Sequence, residues 1–372
     1  AKGAEFDNYN IAKTELLRVK SEDGLYDLPM KITWPLNMVA GKKYPVIISI
    51  YGGPNAGTVM DGFQLTGTQQ WYAKEGLIQV SMDHRASGHF GKEGVNYMYH
   101  DLGDWELKDY STMVKWLIAN GSADPSKICI TGFSYGGYMT CMALTYGADV
   151  FDFGVANSSV TDWQLYDTHY TERFMDTPQE NPEGYKNTAV LTYVNKYKGL
   201  LRIVHGTSDD NVHMQNSIQF INKLEDLKKH FELMIYPGER HGIGGAKGLH
   251  NRTEAYSFYY RNLLGKELPD GFPMTEIKEY FQGRGNQIEI KEHHLTETRL
   301  RFILLNLVYV DQMGSSPFDV KYKGNDPHID HIYPRHASLT KLLLSSSDVN
   351  HLGNYRFVGA IDNIRKRGEL PS

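Results

Sequence analysis

Apolar runs alternate with longer segments along the middle of the chain, between residues 44 and 264. Short apolar runs that stop at glycine, proline or charged residues predict buried strands. These runs are residues 44–51, 77–82, 127–130, 153–156, 200–205 and 232–236. The longer segments predict helices at residues 102–118, 138–146, 213–230 and 251–264. Strands that alternate with helices in this way predict a mostly parallel sheet covered on both faces, which is the α/β class.

The pattern changes on both sides of this region. Residues 14–20 and 28–35 alternate between apolar and polar side chains, which predicts antiparallel strands joined at Glu22-Asp23-Gly24. After the last helix comes a polar linker with glycine and proline, and beyond it an apolar helix is predicted at residues 300–308. We therefore predict a domain boundary in the linker. The predicted divisions are residues 1–39, 40–264, 265–273 and 274–372.

Composition narrows the classes of function. A net charge of −5 over 372 residues argues against a chain whose main role is to bind nucleic acid. The two cysteines, Cys129 and Cys141, are too few for a disulfide framework, and we interpret them as small buried apolar residues. No apolar stretch reaches the length of a transmembrane helix, and residues 1–6 lack the pattern of a signal peptide. We therefore expect no membrane span.

A glycine-rich turn, Gly132-Phe133-Ser134-Tyr135-Gly136-Gly137, joins a predicted strand to a predicted helix. Strand, sharp turn and helix with a serine at the tip form the pattern of a nucleophile elbow. The glycines let the strand and the helix pass closely, and the turn lifts the serine hydroxyl above the sheet. The helix N-terminus then directs free N–H groups at the reaction centre. The pattern predicts that Ser134 is a nucleophile.

Functional groups of a parallel sheet gather on the loops at the carboxyl ends of its strands. Ser134, then an aspartate pair, then His241 each follow one of the predicted strands, which is the chain order of an α/β-hydrolase triad. A serine needs a base within hydrogen-bond reach, and the base needs an anion that holds its tautomer. We therefore expect His241 to act as the base, while Asp209 and Asp210 both meet the requirement for the acid.

An oxyanion hole needs donors aimed at the developing negative charge. The backbone N–H of Tyr135, directly after the nucleophile, is one predicted donor. Tyr51 ends the first core strand beside Gly52 and Gly53, and its phenol is a second candidate. A tyrosine that only caps the core is the alternative interpretation of Tyr51.

Several separate motifs resemble the catalytic domain of the prolyl oligopeptidase family, dipeptidyl peptidase IV branch, over residues 40–264. The motifs are Tyr51-Gly52-Gly53-Pro54, residues 132–138, residues 170–175, residues 205–213 and His241-Gly242-Ile243. The resemblance implies an α/β-hydrolase fold with Ser134 as nucleophile, Asp209 as acid, His241 as base and Tyr51 as side-chain oxyanion donor. The side chains implied to line an S1 pocket for proline or alanine are Tyr135, Val160, Trp163, Tyr166, Tyr170 and Val212. Flat aromatic walls suit a rigid pyrrolidine ring and exclude long side chains.

The resemblance also bears on substrate and partners. It implies that Asn211 binds the backbone carbonyl of the residue before the proline, in a place where the oligopeptidase branch usually has an arginine. Family members carry a β-propeller before the catalytic domain, and residues 1–39 resemble only its junction with that domain. Because acidic propeller residues hold the substrate's free N-terminus in the dipeptidyl branch, we expect weak activity and a lost exopeptidase preference. The expected partner is a peptide substrate, and no cofactor is expected. Because members of the family form dimers, the resemblance also implies a homodimer.

Residues 274–372 contain a second constellation of polar side chains. An HNH-type ββα-metal nuclease uses a histidine to activate water, an Asp and an Asn to hold one divalent metal, and another Asn to orient the histidine. The spacing along the chain fits His331 as base, Asp330 and Asn363 as metal ligands and Asn354 as the orienting residue. The region resembles the C-terminal part of GmrSD-type restriction endonucleases, which implies a small α+β fold with nucleic acid as partner. The alternative is a polar region without chemistry.

The sequence therefore favours a serine peptidase that cleaves after proline or alanine through an acyl-enzyme. The alternatives are an esterase or acylpeptidase with the same triad, a metal-dependent nuclease at residues 274–372 and a non-catalytic fragment. The compartment stays open, because the peptidase part indicates a periplasmic or secreted protein whereas a restriction nuclease acts in the cytoplasm. A fusion of two reading frames, the second beginning at Met274, is a further hypothesis.

Overall fold

Eight strands form one sheet in the computed structural model, which describes residues 10–62 and 66–268 and two more strands near the C-terminus. In chain order the strands are β1 (Thr14–Lys20), β2 (Asp27–Thr33), β3 (Tyr44–Ile50), β4 (Ile78–Met82), β5 (Ala123–Phe133), β6 (Phe153–Asn157), β7 (Leu200–Gly206) and β8 (Glu232–Tyr236). Across the sheet the order is β1-β2-β4-β3-β5-β6-β7-β8. Neighbours from β4 to β8 are parallel, whereas β2 and β1 add an antiparallel edge. The mostly parallel sheet predicted from the sequence is confirmed.

Helices connect the strands and cover the sheet. They are α1 (Gly67–Glu75), α2 (Gly91–Val95), α3 (Asp104–Ala119), α4 (Tyr135–Thr145), α5 (Thr168–Met175), α6 (Pro182–Thr188), α7 (Gln215–Asp226) and α8 (Gly245–Tyr259). Successive strand residues enter different hydrophobic clusters, since Ile48 and Ile130 pack in one and Ile47 and Cys129 in another. The sheet is therefore buried on both faces. Cys129 and Cys141 are buried free thiols.

The observed helices differ from the predicted ones in length and number. The helix predicted at residues 213–230 is only α7, because Lys228 has a φ of 55°, which ends a right-handed helix. The last helix begins at Gly245, earlier than predicted, and continues as a π-helical turn, Tyr260–Leu264. α5 was not predicted from the sequence. It begins where Asp167 accepts the N–H of Tyr170 at 2.8 Å, and it buries Thr171 and Met175, which lie one turn apart on the same face.

Arg85 ties the β1–β2 hairpin to the rest of the sheet. Its guanidinium is fully buried, binds Asp109 at 2.8 Å and reaches Asp23 in the hairpin turn at 2.6 Å. It also lies 3.8 Å from the centre of the Trp105 ring, which adds a cation–π contact. β2 pairs with β4, Met30 opposite Met82. The strands of residues 14–33, which the sequence assigns to a junction segment, therefore form the edge of this sheet.

The chain divides into two compact units, residues 1–268 and 269–372. In the second unit β9 (Pro327–His331) pairs antiparallel with β10 (Tyr355–Gly359), Asp330 opposite Arg356. Asn354, Asn363 and the helix predicted at residues 300–308 lie outside the described residues, as do the side chains of Asp330 and His331. Within the described part of the chain, none of the helices combines the length and apolarity needed to cross a bilayer.

Candidate active site

Ser134 occupies a sharp turn between β5, which ends at Phe133, and α4, which begins at Tyr135. Its backbone has φ 59° and ψ −114°, a sparsely populated conformation for a residue with a side chain. A Cβ at Gly132 would overlap the backbone of Gly136, so the strand can pass the helix this closely only with glycine there. The N–H of Ser134 donates to the carbonyl of Asn157 at 2.8 Å, which fixes the turn against β6.

The structure brings Ser134, His241 and Asp209 together in one hydrogen-bonded series. Nε2 of His241 lies 2.9 Å from Oγ of Ser134, and Nδ1 of His241 lies 2.8 Å from Oδ2 of Asp209. A carboxylate only accepts, so Nδ1 carries the proton and Nε2 is left to accept the proton of the serine hydroxyl. This is the tautomer that a base acting on serine requires.

Asp209 is held by backbone donors, and this selects it over its neighbour. Its Oδ1 accepts the N–H groups of Asn211 at 3.0 Å and Val212 at 2.9 Å, and its side chain is fully buried. Asp210 is exposed and pairs with Arg240 at 3.2 Å. The geometry therefore separates two aspartates that the sequence left as alternatives.

The loop that carries His241 packs directly on the end of β7. A Cβ at Gly206 would overlap the carbonyl oxygens of Glu239 and Arg240. The N–H of Ser208 donates to the carbonyl of Glu239 at 2.9 Å, which links the acid loop to the histidine loop. Close approach at a glycine therefore sets the distance between acid and base.

The two predicted oxyanion donors belong to Tyr135 and Tyr51, whose rings are neighbours. As the first residue of α4, Tyr135 has a backbone N–H without an intrahelical acceptor. Tyr51 follows β3, keeps 37% of its surface exposed, and its ring centre lies 6.2 Å from that of Tyr135. Burial of the remainder raises the pKa of the Tyr51 phenol, so its hydroxyl stays protonated and able to donate at neutral pH.

The aromatic side chains predicted to form a pocket are in ring contact. The ring centre of Trp163 lies 5.4 Å from that of Tyr135, 5.9 Å from that of Tyr166 and 6.1 Å from that of Tyr170. Val160 and Val212 are buried in the same hydrophobic cluster, against which Tyr166 and Tyr170 pack. All six predicted pocket residues therefore share one apolar region, which adjoins the nucleophile through Tyr135.

Asn211 lies at the edge of this region. Its Oδ1 accepts a hydrogen bond from the hydroxyl of Tyr166 at 2.8 Å. With the oxygen occupied, the amide N–H groups are the ends that a substrate carbonyl can meet.

Sequence reasoning assigned no role to several residues that contact the site. His205, fully buried at the end of β7, places Nε2 2.8 Å from the carbonyl of Val212 and 3.2 Å from Oδ2 of Asp209. Burial lowers its pKa, so it is a neutral donor to both. The ring of Phe133 lies 4.7 Å from that of His241. The position of His205 at a strand end was the signal available for it.

His84 and Glu106 are two further buried groups near the site. Nε2 of His84 donates to the carbonyl of Gly52 at 3.0 Å, next to Tyr51 in the chain. Glu106 accepts from the hydroxyl of Tyr135 at 2.8 Å. Neither residue belongs to a motif, so the sequence carried no signal for them.

Known proteins resemble the chain in this region. Prolyl endopeptidase FAP of Homo sapiens is 34% identical over 254 residues, which cover 68% of this chain and 33% of the human protein. A protein of Uncinocarpus reesii named probable dipeptidyl-aminopeptidase B is 38% identical over 234 residues, covering 61% of this chain and 26% of that protein. The crystal structure of Porphyromonas gingivalis dipeptidyl peptidase 4 superposes with a TM-score of 0.66 at 34% identity, covering 70% of this chain and 37% of that one. The chain thus spans about a third or less of the length of these curated relatives.

Residues 63–266 match the prolyl oligopeptidase family, a range that includes Ser134, Asp209 and His241. The match ends before residue 274, so the resemblance to restriction nucleases stays untested by it. The family match accounts for more than half of the 372 residues. The chain belongs to the prolyl oligopeptidase family.

Proposed function

We propose that the chain is a serine peptidase that cleaves peptides after proline or alanine through an acyl-enzyme. The series from Ser134 Oγ to His241 Nε2 at 2.9 Å, and from His241 Nδ1 to Asp209 Oδ2 at 2.8 Å, is the observation that carries the proposal. The dipeptidyl peptidases and the prolyl endopeptidase among its relatives support the same reaction class.

Each member of the triad has a defined part in acylation. His241 accepts the hydroxyl proton of Ser134 at Nε2 as Oγ attacks the scissile carbonyl carbon, and later donates that proton to the leaving amine. Asp209 keeps the proton on Nδ1 and stabilises the imidazolium that forms. The backbone N–H of Tyr135 and the phenol of Tyr51 donate to the oxyanion. Water then attacks the acyl-enzyme with His241 as base, and the reaction uses no cofactor.

The aromatic region beside Ser134 determines the residue accepted before the scissile bond. Trp163 and Tyr170 stack with their ring centres 6.1 Å apart. We infer that the flat apolar surface of this aromatic group suits a pyrrolidine ring or a methyl group. Asn211 donates its amide N–H to the carbonyl of the preceding residue. Long or charged side chains would lose hydration there without gaining a partner.

A fluorophosphonate probe tests the triad, and chromogenic substrates test the pocket. We expect the native chain to be labelled and Ser134→Ala to be unlabelled. Turnover of Gly-Pro p-nitroanilide supports the peptidase, whereas turnover of p-nitrophenyl esters without any anilide hydrolysis supports the esterase alternative. A native chain that does not label contradicts the proposal.

The nuclease activity of residues 274–372 stays a prediction from the sequence. Nicking of a plasmid that needs a divalent metal, and that His331→Ala abolishes, would support it. A homodimer is likewise a prediction, and sedimentation of the native chain tests it.

A further inference from the structure

Glu106 is a carboxylic acid buried behind the pocket wall. It lies in the first turn of α3 and has no exposed surface. Its Oε1 accepts two hydrogen bonds, from the hydroxyl of Tyr135 at 2.8 Å and from the N–H of Gly103 at 2.7 Å. Its Oε2 is buried without a hydrogen-bond partner among the described residues. One oxygen of this buried acid thus accepts two hydrogen bonds and the other accepts none. Helix capping alone does not explain such an arrangement.

The surroundings of Glu106 keep the acid neutral. Burial raises its pKa to about 8, against the opposing effect of hydrogen bonds from Tyr135 and from the backbones of Glu106 itself and Gly103, and the charge of Asp101 raises it further. At neutral pH the side chain is therefore mostly protonated. An amide can take the place of a neutral acid, because both offer a carbonyl oxygen of the same reach.

Tyr135 is the residue through which Glu106 reaches the active site. Its ring touches those of Tyr51 and Trp163, at centre distances of 6.2 and 5.4 Å, and it follows Ser134 directly. Its backbone is held by the close packing of Gly136, where a Cβ would lie 2.6 Å from the carbonyl oxygen of Ile50. The backbone end of Tyr135 is thus fixed by the elbow, and the hydroxyl end by Glu106.

We propose that Glu106 is a positioning residue that holds the Tyr135 ring as a wall of the S1 pocket and thereby favours proline over alanine. This rests on the peptidase function proposed above. A pyrrolidine ring fills the pocket and gains from a fixed wall, whereas a methyl group fills little of it. Loss of the hydrogen bond therefore weakens proline substrates more than alanine substrates.

The test compares Glu106→Leu, Glu106→Gln and Tyr135→Phe with the native chain, using Gly-Pro and Gly-Ala p-nitroanilides. Glu106→Leu and Tyr135→Phe are expected to raise KM for the proline substrate about fivefold to tenfold, the effect of one lost hydrogen bond. The ratio of kcat/KM for proline over alanine falls by a similar factor, with kcat changed less. Glu106→Gln is expected to stay within about threefold of the native values, since it keeps the acceptor.

Tyr197→Phe is the matched control. The hydroxyl of Tyr197 is also hydrogen-bonded: it donates to the carbonyl of His230 at 2.9 Å and accepts the N–H of Leu201 at 2.8 Å. Its ring is buried but is not one of the predicted pocket residues. The substitution is expected to leave the proline-to-alanine ratio unchanged. Labelling by a small fluorophosphonate, which places no proline ring in the pocket, is expected to stay within about twofold of the native rate in Tyr197→Phe.

The outcomes separate this inference from the peptidase proposal. A native chain that neither labels nor turns over the anilides overturns the peptidase proposal itself. A native chain that turns them over, with an unchanged proline-to-alanine ratio in folded Tyr135→Phe, overturns the role of Glu106. The role of Glu106 is also overturned if Glu106→Gln lowers the proline-to-alanine ratio as much as Glu106→Leu does. If Glu106→Leu does not fold, the ratios measured for Tyr135→Phe and Glu106→Gln still decide whether Glu106 has this role.

Discussion

Oγ of Ser134 and Nε2 of His241 lie 2.9 Å apart, although 107 positions of the chain separate the two residues. The serine follows β5, and the histidine follows β8 at the far edge of the sheet. The loop after β8, residues 237–244, carries the histidine, and Gly206 lets that loop pack closely on the end of β7. The pair therefore depends on backbone packing as much as on its own hydrogen bond.

Asp209 and Asp210 offer a matched test of the acid. Asp209→Asn is expected to lower the rate of fluorophosphonate labelling by about 10³-fold or more, because an amide no longer holds the proton on Nδ1 of His241. Asp210→Asn removes only the exposed pair with Arg240 and is expected to change the rate less than about twofold. Equal losses in the two variants would contradict the assignment of Asp209.

Gly136→Ala is expected to damage the elbow. The added Cβ would lie 2.6 Å from the carbonyl oxygen of Ile50 and 3.2 Å from Cα of Tyr51, and neither backbone atom can rotate away. We expect about 1–3 kcal/mol of lost stability and at least about tenfold slower labelling, since Tyr51 is pushed from the site. Thermal unfolding and probe kinetics measure both effects.

Gly67→Ala is the control for that substitution. Gly67 begins α1, and a Cβ there meets nothing within 4 Å. It is expected to leave stability and labelling unchanged or slightly improved. A Gly136→Ala protein as stable and reactive as Gly67→Ala would show that the contact at Ile50 yields easily.

His84 should make stability depend on pH in acid. Burial lowers its pKa from 6.5 to about 4, so the unfolded chain binds more protons than the folded one between these values. The stability that comes from keeping His84 neutral is fully present above pH 6.5 and is lost as the pH falls toward 4. The total loss is on the order of 3 kcal/mol. In denaturant titrations between pH 4 and 7, His84→Gln should show a shallower rise of unfolding free energy with pH than the native chain. Exposed His230→Gln is the control, and an equal slope in both variants would count against His84.

Glu106 should produce the opposite dependence at higher pH. Its pKa is raised from 4.5 to about 8 by burial, so the folded chain holds a proton that the unfolded chain releases. The stability that Glu106 contributes is fully present below pH 4.5 and is lost as the pH rises through 8, on the order of 5 kcal/mol. Glu106→Gln does not titrate, so its stability relative to the native chain should increase between pH 5 and 8. A constant difference over that range would mean that the acid is ionised in the folded protein.

The sequence was sufficient to predict the sheet and to predict that Ser134, Asp209 and His241 lie at one edge of it. Both follow from one regularity, since parallel strands place their carboxyl ends at the same edge and Ser134, Asp209 and His241 each follow a strand. The same regularity could not choose between Asp209 and Asp210, which lie on one loop. The choice depends on which carboxylate faces the N–H groups of Asn211 and Val212, a matter of three-dimensional packing.

The contacts of the buried polar residues could not be predicted from the sequence. Glu106 meets Tyr135 across 29 positions, and His84 meets Gly52 across 32. In an amphipathic helix such as α3, a glutamate at the core is indistinguishable from one in water until its partner is known. α5 was also not predicted, because it is a short helix, Thr168–Met175, and one of its two buried positions is the polar Thr171.

The buried Arg85 has a consequence for producing shorter versions of this protein. A version that began at residue 40 would lack β1, β2 and the carboxylate of Asp23, and would leave β4 with an unpaired edge beside a guanidinium that has lost a counter-ion. Open edges of this kind pair with other molecules, so such a version is expected to aggregate during purification. The smallest piece that keeps the candidate site and a closed sheet edge should therefore start upstream of Thr14 and extend through Leu264.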